Sequence, residues 1–220
     1  MSLNPRIRDW TGRRVWIVGA SSGIGADAAR LLASKGARVA VSARNAAALD
    51  ELVATLPGAI ALPLDITDAP GVAKAHAKLV RTFGGVDLTL FVAGMYVPVR
   101  AWELTVEVAR KQVEANLMGV YNGLAAVLPE LVKRGEGGVG IVSSVAGYRG
   151  LPKSLVYGAT KAALINLAET LYLDLSPKGI AVYIVNPGFV ETPMTAQNDF
   201  RMPALIKSEA AARGIVAGIE

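Results

Sequence analysis

The chain has 220 residues, of which 52% are hydrophobic and 19% charged, and it carries a net charge of +5. It contains no cysteine and a single histidine, His76. That excludes disulfides, thiolate metal sites, a cysteine nucleophile and a multi-histidine metal centre, and it argues against a Ser-His-Asp hydrolase.

From the N-terminus, Met1–Trp10 holds Arg6, Arg8 and Asp9 in place of an apolar signal-peptide core. No later apolar run approaches the roughly 18 residues of a membrane span. The expectation is a cytoplasmic protein with no membrane association and no bound metal. Its basic residues are scattered, with adjacent pairs at Arg13-Arg14, Arg110-Lys111 and Lys133-Arg134. They are not interleaved with aromatics as on a nucleic-acid-binding face, so no nucleic-acid partner is expected. A solvated surface, or a local field for an anionic ligand, accounts for them.

Short β-rich runs alternate with longer helical ones. Arg14–Val18, Arg38–Ser42, Ile60–Leu64, Asp87–Val92, Val139–Ser143 and Ala181–Val185 read as strands. Most are apolar throughout, as strands buried on both faces are. Gly25–Lys35, Ala46–Thr55, Ala69–Phe83, Glu103–Lys133 and Leu155–Ser176 read as helices, with stops at Gly36, Gly84-Gly85, Gly135 and Pro177-Lys178-Gly179. A last short helix opens at Ser208 and runs to about Gly218. The alternation predicts an α/β fold: a doubly wound parallel sheet of six strands with helices on both faces, one domain over 1–220. His76 falls among charged neighbours and is expected to face solvent, whereas Trp16 belongs in the core. Tyr148 lies just after the fifth strand and Met95-Tyr96 after the fourth; these, with Trp102, are candidate pocket residues, plain packing being the alternative.

Two segments carry chemistry. Gly19-Ala20-Ser21-Ser22-Gly23-Ile24-Gly25 stands between the first strand and the first helix. A glycine-rich turn there lets backbone N–H groups and a helix N-terminus approach a pyrophosphate. Tyr157 and Lys161 stand at i and i+4 and so share a helix face. An ammonium close to a phenol favours the phenolate and is expected to lower the tyrosine pKa toward working pH. In isolation such a pair is more often a solvated face.

The G-x-x-x-G-x-G spacing with this Tyr-x-x-x-Lys resembles the single-domain branch of the short-chain dehydrogenase/reductase family, over Trp10–Thr195. The resemblance implies a Rossmann-like sheet of order 3-2-1-4-5-6. The family's usual seventh strand is not visible. It also implies transfer of hydride between a nicotinamide cofactor and a carbonyl or alcohol. The family's serine, thirteen residues before the tyrosine, falls on Ser144. There it holds the substrate oxygen, with Ser143 as its neighbour. Tyr157 exchanges the proton, Lys161 biases Tyr157 and holds the nicotinamide ribose, and Asn116 holds a water behind the lysine. The Gly19–Gly25 turn, including Ser21, Ser22, Gly23 and Ile24, receives the pyrophosphate. Asp65-Ile66 and Ala93-Gly94 line the adenine and ribose, with helix capping as the alternative role for Asp65. Pro187-Gly188, with Val190 and Thr192, lies along the nicotinamide.

Ala43 stands where an NAD-selecting member carries an acid, and Arg44 follows it. Arg44 can pair with a 2′-phosphate, so NADP(H) is preferred over NAD(H). The chain departs from the pattern at Phe91-Val92, where the family has Asn-Asn, and at Val18, where it has threonine. Residues 191–206 correspond to the family's substrate lid. Pairing of Asn116–Leu131 and Tyr157–Leu175 across an interface implies a homodimer or homotetramer. The alternative function is a catalytically weak NADP(H)-binding sensor or scaffold of the same fold.

Overall fold

The computed structural model describes residues 4–196 and 198–220. Gln197, within the expected lid, and residues 1–3 of the expected domain lie outside the described residues. Strands β1 (Arg14–Val18), β2 (Arg38–Ser42), β3 (Ile60–Ala61), β4 (Leu88–Phe91), β5 (Gly138–Val142) and β6 (Ala181–Val185) form one parallel sheet of order β3-β2-β1-β4-β5-β6. This is the Rossmann-like order expected. The winding reverses between β1 and β4, so a crevice opens there beyond the carboxyl ends of the strands.

Alternation along each strand explains why the runs are apolar throughout. Val15 and Ile17 of β1 face a core built with α1 (Gly23–Ser34), α2 (Ala46–Ala54) and α7 (Ser208–Ile219). Trp16 and Val18 face the opposite core, built with α3 (Ala69–Phe83), α5 (Gly119–Arg134) and α6 (Leu155–Leu175). Side chains of successive strand residues point to opposite faces, and here both faces are covered.

Several boundaries differ from the reading of the sequence. The first helix starts at Gly23, two residues earlier than expected. The third strand keeps only Ile60–Ala61, although Leu62 and Leu64 still donate to Val41 and Ala43 carbonyls. The long helix expected over Glu103–Lys133 is broken. A 3₁₀ turn (Ala101–Glu103) precedes α4 (Val106–Val113), which Thr105 caps through its hydroxyl. A π-helical turn (Glu114–Met118) then leads into α5. A π turn shows no hydrophobic period of its own, so the interruption is invisible to pattern reading. A two-residue pair not foreseen at all, β7 (Val190–Glu191) with β8 (Ile206–Lys207), closes the base of the 191–206 segment.

The departure from the family pattern at Phe91 has a local compensation. A Cβ built on Gly123 would stand 2.1 Å from the Phe91 ring, so the ring occupies the space that α5 leaves open. At the far edge, the Asn4 carboxamide stands in for a neighbouring strand on β6. It donates to Val182 O at 2.7 Å and accepts from Val182 N at 3.2 Å.

The amino ends of β1 and β4 are tied by ions. The Asp87 carboxylate accepts from Arg14 N and Nε and contacts both Arg14 and Arg134 guanidinium groups. Burial pushes this carboxyl up, but the Arg14 hydrogen bonds outweigh it and hold the group below the usual carboxylate value. Arg134 also pairs with Glu130 at 2.9 Å. Arg14 and Arg134, from two of the basic pairs, are therefore structural cations at the end of the sheet away from the crevice.

His76 does not face solvent as expected. Its side chain is only 12% exposed, stacks on Trp16 with ring centroids 5.9 Å apart, and has Nε2 3.1 Å from Glu130 Oε2. The two groups form an ion pair only when the imidazole is protonated. The helix α3 turns this residue inward between its charged neighbours. Burial lowers its pKa below 6.5, against an opposing pull from Glu130. A depressed folded-state pKa means stability that is present above the unfolded value and lost as pH falls through the folded one. Thermal unfolding from about pH 7 down to about pH 5 should therefore show a steeper loss of Tm in wild type than in His76→Leu. Parallel curves would remove His76 as the cause.

Candidate active site

A cleft of about 980 Å³ opens at the carboxyl ends of the strands. Its first wall is the turn after β1. Gly19 has φ +101, and a Cβ there would fall 2.3 Å from Ala93 N. A Cβ on Gly25 would fall 2.1 Å from the Gly19 carbonyl oxygen. These glycines let the turn fold back under the first turn of α1 and pass against the end of β4. Ser22, the N-cap of α1, makes no side-chain capping bond. The first N–H groups of α1 therefore lack the side-chain acceptor that usually satisfies them.

Gly19, Ser21, Ser22, Gly23, Ile24, Gly25, Arg44, Asp65, Ile66, Ala93 and Gly94 all line this cleft. So do Ser144, Tyr157, Lys161, Pro187, Gly188, Val190 and Thr192. Asp65 is not a helix cap. Its Oδ1 accepts from Thr67 N at 2.9 Å and Thr67 Oγ1 at 2.8 Å, while Asp68 is the N-cap residue of α3. Those bonds, helped by nearby Arg44, hold its carboxyl below the usual carboxylate range. Ile66 is braced by Asn122, which donates to its carbonyl at 3.0 Å. The Thr192 methyl lies against Gly23, and Val145 N donates to Pro187 O at 3.0 Å.

The two serines after β5 take different partners. Ser143 Oγ is buried and donates to Lys161 O at 2.7 Å, whereas Ser144 Oγ accepts from Ala146 N at 3.1 Å. Lys161 is 3% exposed, and its ammonium donates to Val142 O at 2.9 Å. Burial pushes its pKa down to about 8. Nζ stands 5.6 Å from the centre of the Tyr157 ring. The expectation that the ammonium lowers the phenol pKa is not met in this arrangement. Burial raises Tyr157 above its usual value, and a hydrogen bond with Ser144 only partly offsets it.

Asn116 does not line the cleft. It is fully buried on the π turn, and its carboxamide faces the protein. Oδ1 accepts from Met95 N at 2.7 Å, and Nδ2 donates to Met95 O at 2.9 Å and Thr160 Oγ1 at 3.2 Å. Thr160 in turn donates to Tyr157 O at 2.8 Å. The side chain thus braces the loop after β4 against the helix bearing Tyr157.

The sequence reading missed the wall supplied by α4 and the start of the π turn, where Glu107, Arg110 and Lys111 of the helix and Glu114 of the turn reach the cleft. Charges on an amphipathic helix look the same in sequence whether they meet solvent or a crevice. It also missed Gln112, buried in the same helix. A polar residue on an apolar stripe was the available signal.

The short chain dehydrogenase family model matches residues 13–202. The chain belongs to that family. Within it, an uncharacterized oxidoreductase of Myxococcus xanthus is 37% identical over 214 residues, covering 94% of this chain and 85% of the relative. A 3-oxoacyl-acyl-carrier-protein reductase of Thermotoga maritima is 34% identical over 188 residues, covering 84% and 76%. Among solved structures, an actinorhodin polyketide ketoreductase variant with NADPH superposes with TM-score 0.87 at 28% identity, covering 94% of this chain and 90% of that one. This short chain dehydrogenase is an oxidoreductase with the family's nicotinamide-cofactor fold. Among the described residues, no helix is long and apolar enough to cross a membrane, and no acidic or histidine cluster could hold a metal ion.

Proposed function

We propose that this oxidoreductase uses NADP(H) to interconvert a carbonyl and an alcohol, with Tyr157 as the group that gives or takes the proton. The observation that carries the reading is one cleft shared by Ser144, Tyr157 and Lys161 at one end and by Arg44 and the Gly19–Gly25 turn at the other. The cofactor fits the residues present. The first N–H groups of α1 lack a side-chain cap at the Gly19–Gly25 turn, where a Cβ on Gly19 or Gly25 would collide with backbone. Arg44 and the second oxygen of Asp65 are the partners for its adenosine end, Ala93-Gly94 for its ribose, and Pro187-Gly188, Val190 and Thr192 for its nicotinamide end. When bound it supplies the hydride.

The remaining chemistry belongs to the chain. The raised pKa of Tyr157 keeps the phenol protonated at neutral pH, ready to donate to a carbonyl oxygen. The Ser144 hydroxyl orients that oxygen and stabilises charge developing on it. Lys161 supplies positive charge behind the phenol, and Asn116 fixes the loop and helix that frame it. The names of the Thermotoga relative and the polyketide ketoreductase support a ketone as substrate. Residues 1–220 act as one unit in this reading, with 191–206 as the lid. The lid segment is anchored by Asp199, which pairs with Lys153 at 2.8 Å. Exposed Tyr121 and Val132 on α5 and Leu173 on α6 favour pairing of these helices in a homodimer or homotetramer.

The test follows NADPH and NADH consumption against a panel of ketones, aldehydes and quinones. Turnover with NADPH ahead of NADH is the expected result, and no turnover with either cofactor overturns the reading. Arg44→Asp should reverse the preference by placing a carboxylate where Arg44 would meet the 2′-phosphate. A change of about tenfold or more in the ratio of cofactor affinities is expected from loss of one charge-assisted contact. An unchanged ratio removes Arg44 from the argument.

A further inference from the structure

Gln112 has a chemistry that the site as described leaves unused. It is a carboxamide with no exposed surface, in the last turn of α4. Its Oε1 accepts from Val97 N at 3.1 Å, and its Nε2 donates to Val97 O at 3.3 Å. Asn116, four residues on, makes the same pair of bonds with Met95. Met95 and Val97 are alternate residues, which in extended chain present their backbone groups to one side. Residues at i and i+4 stack on one helix face. Two side-chain amides therefore act as two rungs of a missing strand. A helical turn rises about 5.4 Å and two extended residues about 6.6 Å. The difference falls where α4 opens into the π turn.

With Met95 and Val97 held toward α4, the intervening Tyr96 points away from it. Its ring meets the Tyr157 ring edge-on, with centroids 5.1 Å apart and planes at 66°. Its hydroxyl lies 3.4 Å from Lys153 O as donor. That same carbonyl accepts from Val99 N, and the Lys153 ammonium holds Asp199 of the 191–206 segment. Tyr96 is thus fixed on three sides, with one edge against the proposed proton donor.

We infer that Gln112 is a positioning residue and Tyr96 a specificity-determining wall: the double-amide clamp holds the Tyr96 ring against Tyr157, just outside the residues that line the cleft, and carbonyl substrates are sorted by the bulk that reaches past Tyr157 on that side. The inference rests on the function proposed above. It favours ketones slender on the Tyr96 side over those branched there.

Gln112→Leu removes both bonds and leaves the Val97 N–H and C=O without partners, which frees the loop. Tyr96→Ala removes the wall itself. The experiment measures kcat and KM of the NADPH-loaded enzyme for an unbranched ketone and for one branched beside the carbonyl. Each single variant should raise the branched-to-unbranched ratio of kcat/KM by about fivefold or more, a range one side-chain contact supports. The double variant should add little, because both act on one wall. A purely structural role for Gln112 lowers both substrates equally and leaves the ratio unchanged, which overturns the inference. Amide hydrogen exchange reads the clamp without turnover, and Val97 should lose protection in Gln112→Leu while Met95, held by Asn116, keeps it. Unchanged Val97 protection also overturns the inference. If Gln112→Leu does not fold, Gln112→Asn shortens the reach by one methylene and reports the same ratio and protection. Wild-type enzyme inert toward both ketones with either cofactor defeats the functional reading and with it the sorting role. A flat ratio in active enzyme defeats the sorting role alone.

Discussion

Tyr157→Phe should bind NADPH with wild-type affinity and lose turnover by a factor of about 10²–10⁴, the range supplied by a positioned proton donor. The substitution removes one oxygen and keeps the ring, so the edge contact with Tyr96 at 5.1 Å survives. The cradle at the other end of the cleft is untouched, which separates binding from chemistry. The pH dependence should differ between directions. Burial holds the phenol pKa above its ordinary value. Carbonyl reduction needs the protonated phenol and should stay level through neutral pH, then fall on the alkaline side. Alcohol oxidation needs the phenolate and should rise over that same alkaline range. Lys161, pushed down to about 8 by burial, loses its charge within reach of these measurements and makes the alkaline limb steeper. Near-normal kcat in Tyr157→Phe, measured beside an unchanged NADPH titration, would assign the proton to another group.

The sequence carried the frame of this site because the frame is local. A glycine-rich turn between a strand and a helix, and two side chains at i and i+4, are set by a few neighbouring residues and show in a linear pattern. Ser144 follows from the family resemblance, which sets it thirteen residues before Tyr157, and Arg44 from its place beside Ala43 at the end of the second strand. What did not show depends on contacts between distant segments. Gln112 is bonded to Val97 and Asn116 to Met95 across a π turn that leaves no hydrophobic period. His76 has charged neighbours in sequence, but its surroundings in space are Trp16 and Glu130. The expected sign of the Tyr157 shift failed for a related reason. Spacing brings Lys161 within one helical turn, yet spacing does not report that the ammonium is engaged by Val142 O, nor how deeply the phenol is buried. Charge proximity and desolvation act in opposite directions on a phenol, and only the packed structure weighs them.

The glycine-rich turn offers a test in which one chemical change has opposite effects at two sites. Gly25→Ala places a methyl 2.1 Å from the Gly19 carbonyl oxygen, a backbone atom that cannot rotate away. The start of α1 must shift relative to the end of β1, and overpacking of this kind costs about 1–3 kcal/mol. The same shift displaces the N–H groups at the head of α1, so NADPH affinity should fall further than the loss of stability alone explains. Gly214→Ala is the internal control. It lies within α7, where a Cβ meets nothing within 4 Å. There the alanine should stabilise the protein by about 0.5–1 kcal/mol through its better helix propensity, with NADPH binding unchanged. Thermal unfolding with and without NADPH reads both quantities. Retention of a wild-type NADPH-induced rise in Tm by Gly25→Ala would mean that the close approach of Gly25 to Gly19 is a packing detail, and that the cofactor cradle lies elsewhere in the cleft.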